Sequence, residues 1–351
     1  MQAAVLFGER QIRLDQVPEP RPRDAEVLIE VAAAGICGTD LHVYRGEFRD
    51  RVRYPAILGH EFGGVVTEVG REVSGVRRGD RVAVDPILPC HACPACRTGR
   101  FNACRSLRLL GIDLPGGFAQ YVVAAASQVH LLPDSVSLEH APMVEMYGLG
   151  LHVLGRGRIQ PGEKVVILGA GKLGLSVLDV LLAGARPALS VVTDLKPDRL
   201  EMALELGADH ALDVRREDPV ARVLELTGGA GVDCVIEAVG HYHAVGDQGS
   251  PLGQAVQMIR NAGRIVTAGL GEQLSSVHFK TLVLKEAEII ASRVTRGEFP
   301  RAIALLGSGQ LHPGLLITHH GPLGEAGALF ERIDRDETGT LKVVLDHHPP
   351  V

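Results

Sequence analysis

Between Lys164 and Asp194 the chain spells out a strand, a glycine turn, a helix and a second strand. Lys164-Val165-Val166-Ile167-Leu168 is an apolar β run that passes straight into Gly169-Ala170-Gly171-Lys172-Leu173-Gly174. An apolar helical stretch, Leu175–Ala183, follows, and the next β run, Leu189–Thr193, ends at Asp194, twenty residues beyond Gly174. Glycines at this spacing mean little alone. Set between strand and helix, with an acid closing the second strand, they describe a dinucleotide-binding unit. Gly169 makes the tight turn, Gly171 lets a pyrophosphate approach, and Gly174 lets the helix pack on the strand. The pyrophosphate would rest on the helix N-terminus. Asp194 is placed to accept from both ribose hydroxyls and to repel a 2′-phosphate, which favours NAD, while nearby Arg199 leaves room for NADP.

The alternation continues. Lys196–Leu206, Pro219–Leu226 and Val256–Arg260 read as helices, and Val232–Glu237, Gly263–Ala268 and Glu288–Ala291 as strands. Strands separated by helices predict a parallel, doubly wound sheet. Cys234 lies within one of these strands and is a core thiol. A stretch from His241 to Gly253 interrupts the pattern at a strand's C-terminal end, the edge where open sheets bind ligands. It is equally consistent with ligand contact and with an exposed loop.

The first half has another texture. Pro18, Pro20 and Pro22 break the chain, and Glu26–Ala34 then reads as a strand. Directly after it comes Gly35-Ile36-Cys37-Gly38-Thr39-Asp40-Leu41-His42, and some twenty residues on, Gly59-His60-Glu61. Cys and His are zinc ligands of suitable softness, and a catalytic zinc takes three protein ligands and keeps one position open. Cys37 and His60 give two, and Glu61 or Glu145 the third. Glu145 stands in the apolar helical segment Ala141–Leu154, where a carboxylate is costly unless paired or bound to metal. His152 on the same segment reads as a core or cofactor-side histidine. Thr39 suits either a hydroxyl beside the metal or a helix N-cap. The glycines around His60 allow close backbone approach. Phe118 lines a pocket or, more simply, packs in the core.

The most specific metal signal is Cys90-x-x-Cys93-x-x-Cys96-x7-Cys104. Four thiols so close form a tetrahedral site, zinc or iron–sulfur by composition. Zinc would staple a loop with little core of its own.

Several classes are excluded. A length of 351 residues suits two domains, and an apolar fraction of 46% suits a packed protein. A net charge of −6 with no basic stripe argues against nucleic acid. Leu173–Ala185 is the nearest approach to a membrane span, and Asp179 interrupts it. The N-terminal Met1–Phe7 reads as a strand, and six cysteines without an export signal point to metal chemistry in the cytoplasm.

Taken together these motifs, in this order along essentially the whole chain, resemble the zinc-dependent medium-chain alcohol and polyol dehydrogenases. The resemblance is strongest to the sorbitol and threonine 3-dehydrogenase branch. It implies an α/β architecture: a GroES-like β-barrel catalytic domain (1–150 and 293–351) with a structural zinc lobe at about 86–108, and a Rossmann domain (151–292). It implies catalytic zinc on Cys37 and His60, with Glu61 and Glu145 at or beside the metal. It implies structural zinc on Cys90, Cys93, Cys96 and Cys104, and NAD along Gly169, Gly171, Lys172, Leu173, Gly174, Asp194, Arg199, Ala238 and Gly269. Thr39 and His42 then relay the substrate's proton outward. The implied reaction is hydride transfer between NAD and a secondary alcohol of a small polyol, sugar alcohol or sugar acid. L-Threonine and vicinal diols are the neighbouring alternatives, and a non-catalytic nucleotide-binding protein is the alternative of another kind. A homodimer or homotetramer is implied as well. Two departures stand out: Glu145-Met146-Tyr147 where the family has Glu-Pro-Leu, and the His241 insertion. Arg293 matches an arginine that often faces substrate or cofactor.

Overall fold

The computed structural model describes residues 1–48, 50–240, 249–271, 274–335 and 337–347. The chain divides into two compact units, Met1–Gly148 with Thr295–Val351, and Leu149–Val294.

In the second unit six strands form one parallel sheet in the order His210–Asp213, Leu189–Asp194, Lys164–Leu168, Val232–Glu237, Ile259–Thr267, Glu288–Ala291. Numbered along the chain this is 3-2-1-4-5-6, the dinucleotide-binding order, with its switch point between Lys164–Leu168 and Val232–Glu237. Both central strands are buried on both faces, which explains their unbroken apolar runs. The helix Lys172–Gly184 starts at Gly171 and buries Leu175, Val177, Leu178 and Leu181.

Some elements differ from the sequence reading, among them the helix Phe279–Lys285, which was not expected. The helix expected at Val256–Arg260 lies earlier, at Pro251–Met258, and Ile259 and Arg260 already belong to the next strand. Ser250 and Pro251 set its start: Ser250 Oγ accepts from Gly253 N at 3.0 Å, and proline is suited to the first helical turn. The strand His210–Asp213 was not expected, because four residues with polar ends carry no alternation. It is pinned instead by Asp209, whose Oδ2 accepts from Ser190 N at 2.7 Å and Ser190 Oγ at 2.8 Å. Of the His241–Gly253 stretch, residues 241–248 lie outside the described residues.

In the first unit the main sheet runs Val129–Leu131, Arg81–Val84, Glu61–Val69, Glu26–Ile36, Lys342–Asp346, Ile317–Pro322, with Tyr121–Ala125 also on Glu26–Ile36. The long strand Glu26–Ile36 organises the unit, because it pairs antiparallel with three others. The chain's tail therefore shares a sheet with the strands that carry Cys37 and Glu61. Close strand crossings explain the glycines after His60: a Cβ on Gly64 would sit 2.0 Å from Glu30 O, and one on Gly63 2.6 Å from Val82 O. These glycines serve strand-to-strand packing rather than approach to a site. Phe118 is fully buried and edge-on to Phe330 at 5.9 Å, a core residue.

Candidate functional site

The strand Glu26–Ile36 delivers Cys37 to the cap position of the helix Gly38–Tyr44. Cys37, not Thr39, is the N-cap, and Cys37 N donates to Asp40 Oδ2 at 2.8 Å. Strand pairing sets Glu61 opposite Gly35, two residues from Cys37. Ligand atoms of Cys37, His60 and Glu61 thereby lie within 4.8 Å of one another. His60 and Glu61 are buried, at 6% and 0% exposed.

The donors fit a divalent cation. Among the described residues, His60 Nδ1, Glu61 Oε1 and Glu145 Oε2 are buried without a hydrogen-bond partner. Buried polar atoms are normally satisfied, so three orphans in one neighbourhood call for a ligand. Burial opposes charge on Cys37, yet His60, and Lys342 with it, pull its thiol down to about 6. A thiolate is the form a metal takes. Burial pushes Glu145 up to about 8, with His60 pulling the other way and Cys37 and Asp85 adding to the rise. It ionises readily only if a cation stands close by.

Two residues the sequence reading passed over hold this cluster. Asp40 is fully buried, binds Cys37 N, accepts from Gly59 N at 3.4 Å, and stands 3.4 Å from His60 Nδ1. It ties the Cys37 and His60 segments together. Its position three residues after the cap was the available signal. Lys342, at 1% exposed, touches Glu61 Oε2 directly. Nothing local marks it, because it reaches the site only through the pairing of Lys342–Asp346 with Glu26–Ile36.

Thr39 is half-buried on the helix. His42 Nδ1 contacts Glu47 Oε2, and the two side chains are 16% and 45% exposed. Met146 and Tyr147, beside Glu145, are buried at 3% and 0%.

The four lobe sulfurs, of Cys90, Cys93, Cys96 and Cys104, also lie within 4.8 Å of one another, and all four cysteines are free thiols. Backbone groups aim at them: Cys90 N donates to Cys104 Sγ at 3.3 Å and Cys93 N to Cys90 Sγ at 3.4 Å. Amides of Ala92 and Cys93 lower the Cys90 thiol, and those of Cys96 and Arg105 hold Cys93 down to about 6, against burial. Donors of this kind stabilise thiolates, which suits a tetrathiolate metal.

In the second unit Gly169 takes φ 97° at the end of its strand, and a Cβ on Gly174 would sit 1.8 Å from Gly169 O. Gly171 differs: a Cβ there would meet nothing nearer than Arg199 Nη1 at 4.0 Å. The protein itself does not require glycine at 171. Asp194 Oδ2 accepts from Ala170 N at 2.7 Å, and Oδ1 from Leu195 N at 2.7 Å and Lys196 N at 2.9 Å, so the acid also braces the loop. Lys172 and Leu173 form the first helical turn. Ala238 and Gly269 follow adjacent strands at the same sheet edge, Ala238 N bonding Leu168 O at 2.9 Å and Gly269 N bonding Glu237 O at 3.0 Å. His152 is buried, and Arg293 is exposed.

The alcohol dehydrogenase GroES-like domain matches residues 23–134, and the zinc-binding dehydrogenase domain matches residues 160–308. The chain is 34% identical over 350 residues to the sorbitol dehydrogenase of Bacillus subtilis, covering 98% of this chain and 97% of that one. It is 36% identical over 352 residues to the L-threonine 3-dehydrogenase of Pyrococcus abyssi, at 98% and 97% coverage. Its fold matches a crystal structure of an alcohol dehydrogenase from Escherichia coli CFT073 complexed with NADH, with TM-score 0.90, 32% identity and 99% of each chain covered.

Proposed function

The chain belongs to the zinc-dependent medium-chain dehydrogenase family and is a zinc- and NAD-dependent oxidoreductase of CH–OH groups; from that premise we propose the residues that carry the reaction and its substrate class. The substrate is a secondary alcohol of a small polyol, sugar alcohol or sugar acid. The observation that carries this reading is the convergence of Cys37, His60 and Glu61 within 4.8 Å, with buried oxygens of Glu61 and Glu145 unpartnered among the described residues.

Cys37, His60 and Glu61 hold the catalytic zinc, with Glu145 beside it, and Cys90, Cys93, Cys96 and Cys104 hold the structural one. Gly169, Gly171, Lys172, Leu173 and Gly174 cradle the NAD pyrophosphate, Asp194 and Arg199 the ribose, and Ala238 and Gly269 flank the cofactor. Once bound, zinc supplies a Lewis acid for the alcohol oxygen and NAD the hydride acceptor. Thr39 receives the hydroxyl proton, and His42 passes it outward. An imidazole suits this step because one ring nitrogen accepts a proton while the other donates one. Glu47 extends the path: His42 contacts it, and it is the more exposed of the two.

The homo-oligomer of the family reading is supported by apolar side chains left on the surface of the second unit. Phe279, Val283 and Leu284 are 74%, 70% and 72% exposed on the helix Phe279–Lys285, and Ile289, on the edge strand, is 41% exposed. Clusters of this kind mark interfaces. No helix among the described residues is long and apolar enough to cross a membrane.

The test is NADH formation, followed by absorbance, against polyols, sugar acids, vicinal diols and L-threonine, with and without a chelator. Chelator-sensitive turnover of a polyol or sugar acid is expected. Turnover of L-threonine alone would overturn the substrate class.

A further inference from the structure

Lys342 opens the strand Lys342–Asp346, and its ammonium is buried against Glu61 Oε2. The placement is built by the sheet. Gly35 faces Glu61 across one ladder and Val344 across the other. A Cβ on Gly35 would lie 2.5 Å from Glu61 Oε2 and 2.8 Å from Lys342 Cε. Any side chain at position 35 would therefore displace the pair.

A buried ammonium is costly unless paired, and a buried carboxylate likewise. Here one oxygen of Glu61 meets the cation. The other, Oε1, is buried without a hydrogen-bond partner among the described residues. Glu61 also belongs to the Cys37–His60 cluster. A carboxylate offered to a metal with both oxygens free can bind through one or two of them. A lysine ammonium is a compact point charge that holds one oxygen without spanning both.

We propose that Lys342 is a positioning residue of the metal centre: by holding Glu61 Oε2 it leaves Oε1 as the one oxygen offered to zinc. Glu61 thus binds through a single oxygen and a coordination position stays open for the alcohol. The inference rests on the metal site proposed above. Gly35 serves the same end, as the gap in which the pair fits.

The test uses the full chain with cobalt in place of zinc, because visible cobalt absorption weakens as coordination number rises. In Lys342→Met the freed Glu61 binds through both oxygens. The absorption falls roughly twofold or more, and KM for the alcohol rises about tenfold or more, as the second oxygen competes for the open position. Lys342→Arg does not restore them, because the guanidinium fork spans both carboxylate oxygens and draws Oε1 from the metal as well. The double variant Lys342→Met/Glu61→Gln recovers the original absorption, since an amide offers one oxygen. An unaltered spectrum with unaltered KM in Lys342→Met overturns the proposal, and so does a double variant as weak as the single. A zinc-loaded crystal structure of the unaltered chain settles the matter should Lys342→Met not fold. Glu61 with one oxygen on zinc and one on Lys342 supports the proposal. Two oxygens on zinc, or none, overturns it. Failure to bind metal at Cys37 at all is a separate result, and it sinks the metal site itself.

Discussion

Replacing Gly171 with alanine separates what the fold needs from what the cofactor needs. Gly171 caps the helix Lys172–Gly184 at φ −74° and ψ −174°, a conformation any residue adopts. The nearest atom to an added Cβ is Arg199 Nη1, at 4.0 Å. A glycine-to-alanine change at a compatible backbone stabilises by about 0.4–1 kcal/mol, chiefly through the unfolded chain. For a unit of this size, that raises Tm by up to roughly 4 °C. The same methyl stands where the pyrophosphate must meet the helix N-terminus. Losing one hydrogen bond to a charged group costs about 1.5–3 kcal/mol. NADH affinity then falls roughly tenfold to a hundredfold. Scanning fluorimetry gives the first quantity and NADH fluorescence titration the second. Gly174→Ala is the control with the opposite profile: its Cβ would lie 1.8 Å from Gly169 O, so Tm falls before any question of binding. Undiminished NADH affinity in Gly171→Ala would refute the placement of the pyrophosphate. A large fall in Tm would show that glycine at 171 is structural after all.

Three further outcomes follow from the same geometry. Asp85 is 9% exposed, and burial pushes its carboxyl up to about 6, so the fold favours the protonated form and loses stability as pH climbs from the ordinary carboxylate range through 6. Asp85→Asn should stabilise above pH 7 by at most roughly 3 kcal/mol and converge with the unaltered chain near pH 4, as read from denaturation midpoints across pH. Asp194→Ala removes the acceptor of three backbone amides and the charge that repels a 2′-phosphate. The NADP to NAD preference in kcat/KM should rise about tenfold or more. Cys96→Ser should release one of two zinc ions per chain, measured by elemental analysis, and lower Tm by roughly 5 °C or more, because metal binding in such a lobe is folding free energy.

The residues carrying this account were unequally visible in the sequence. Motifs whose chemistry is local were legible: the glycine turn with its strand and helix, the four cysteines, and Cys37 with His60. The strands Lys164–Leu168, Val232–Glu237 and Glu288–Ala291 were legible too, because each is a compact β run between turn signals. What escaped depends on pairings distant in the chain. Lys342 meets Glu61 across 281 positions, through three strands of one sheet. Asp40 sat in plain view inside the Cys37 motif, where its bond to Cys37 is a local capping contact, but its bond to Gly59 exists only once the His60 segment folds back. His210–Asp213 is held by a side-chain clasp at Asp209 rather than by an apolar pattern. The glycines after His60 were visible, yet their reason was not: they admit neighbouring strands.

The central claim is that Cys37, His60 and Glu61 hold the zinc that makes this chain an oxidoreductase. The direct measurement is zinc content, NADH affinity and chelator-sensitive turnover in Cys37→Ser beside the unaltered chain. The account predicts that the variant keeps one zinc per chain, on the four lobe cysteines, keeps its NADH affinity, and loses turnover. Turnover surviving with only the lobe zinc bound would contradict it.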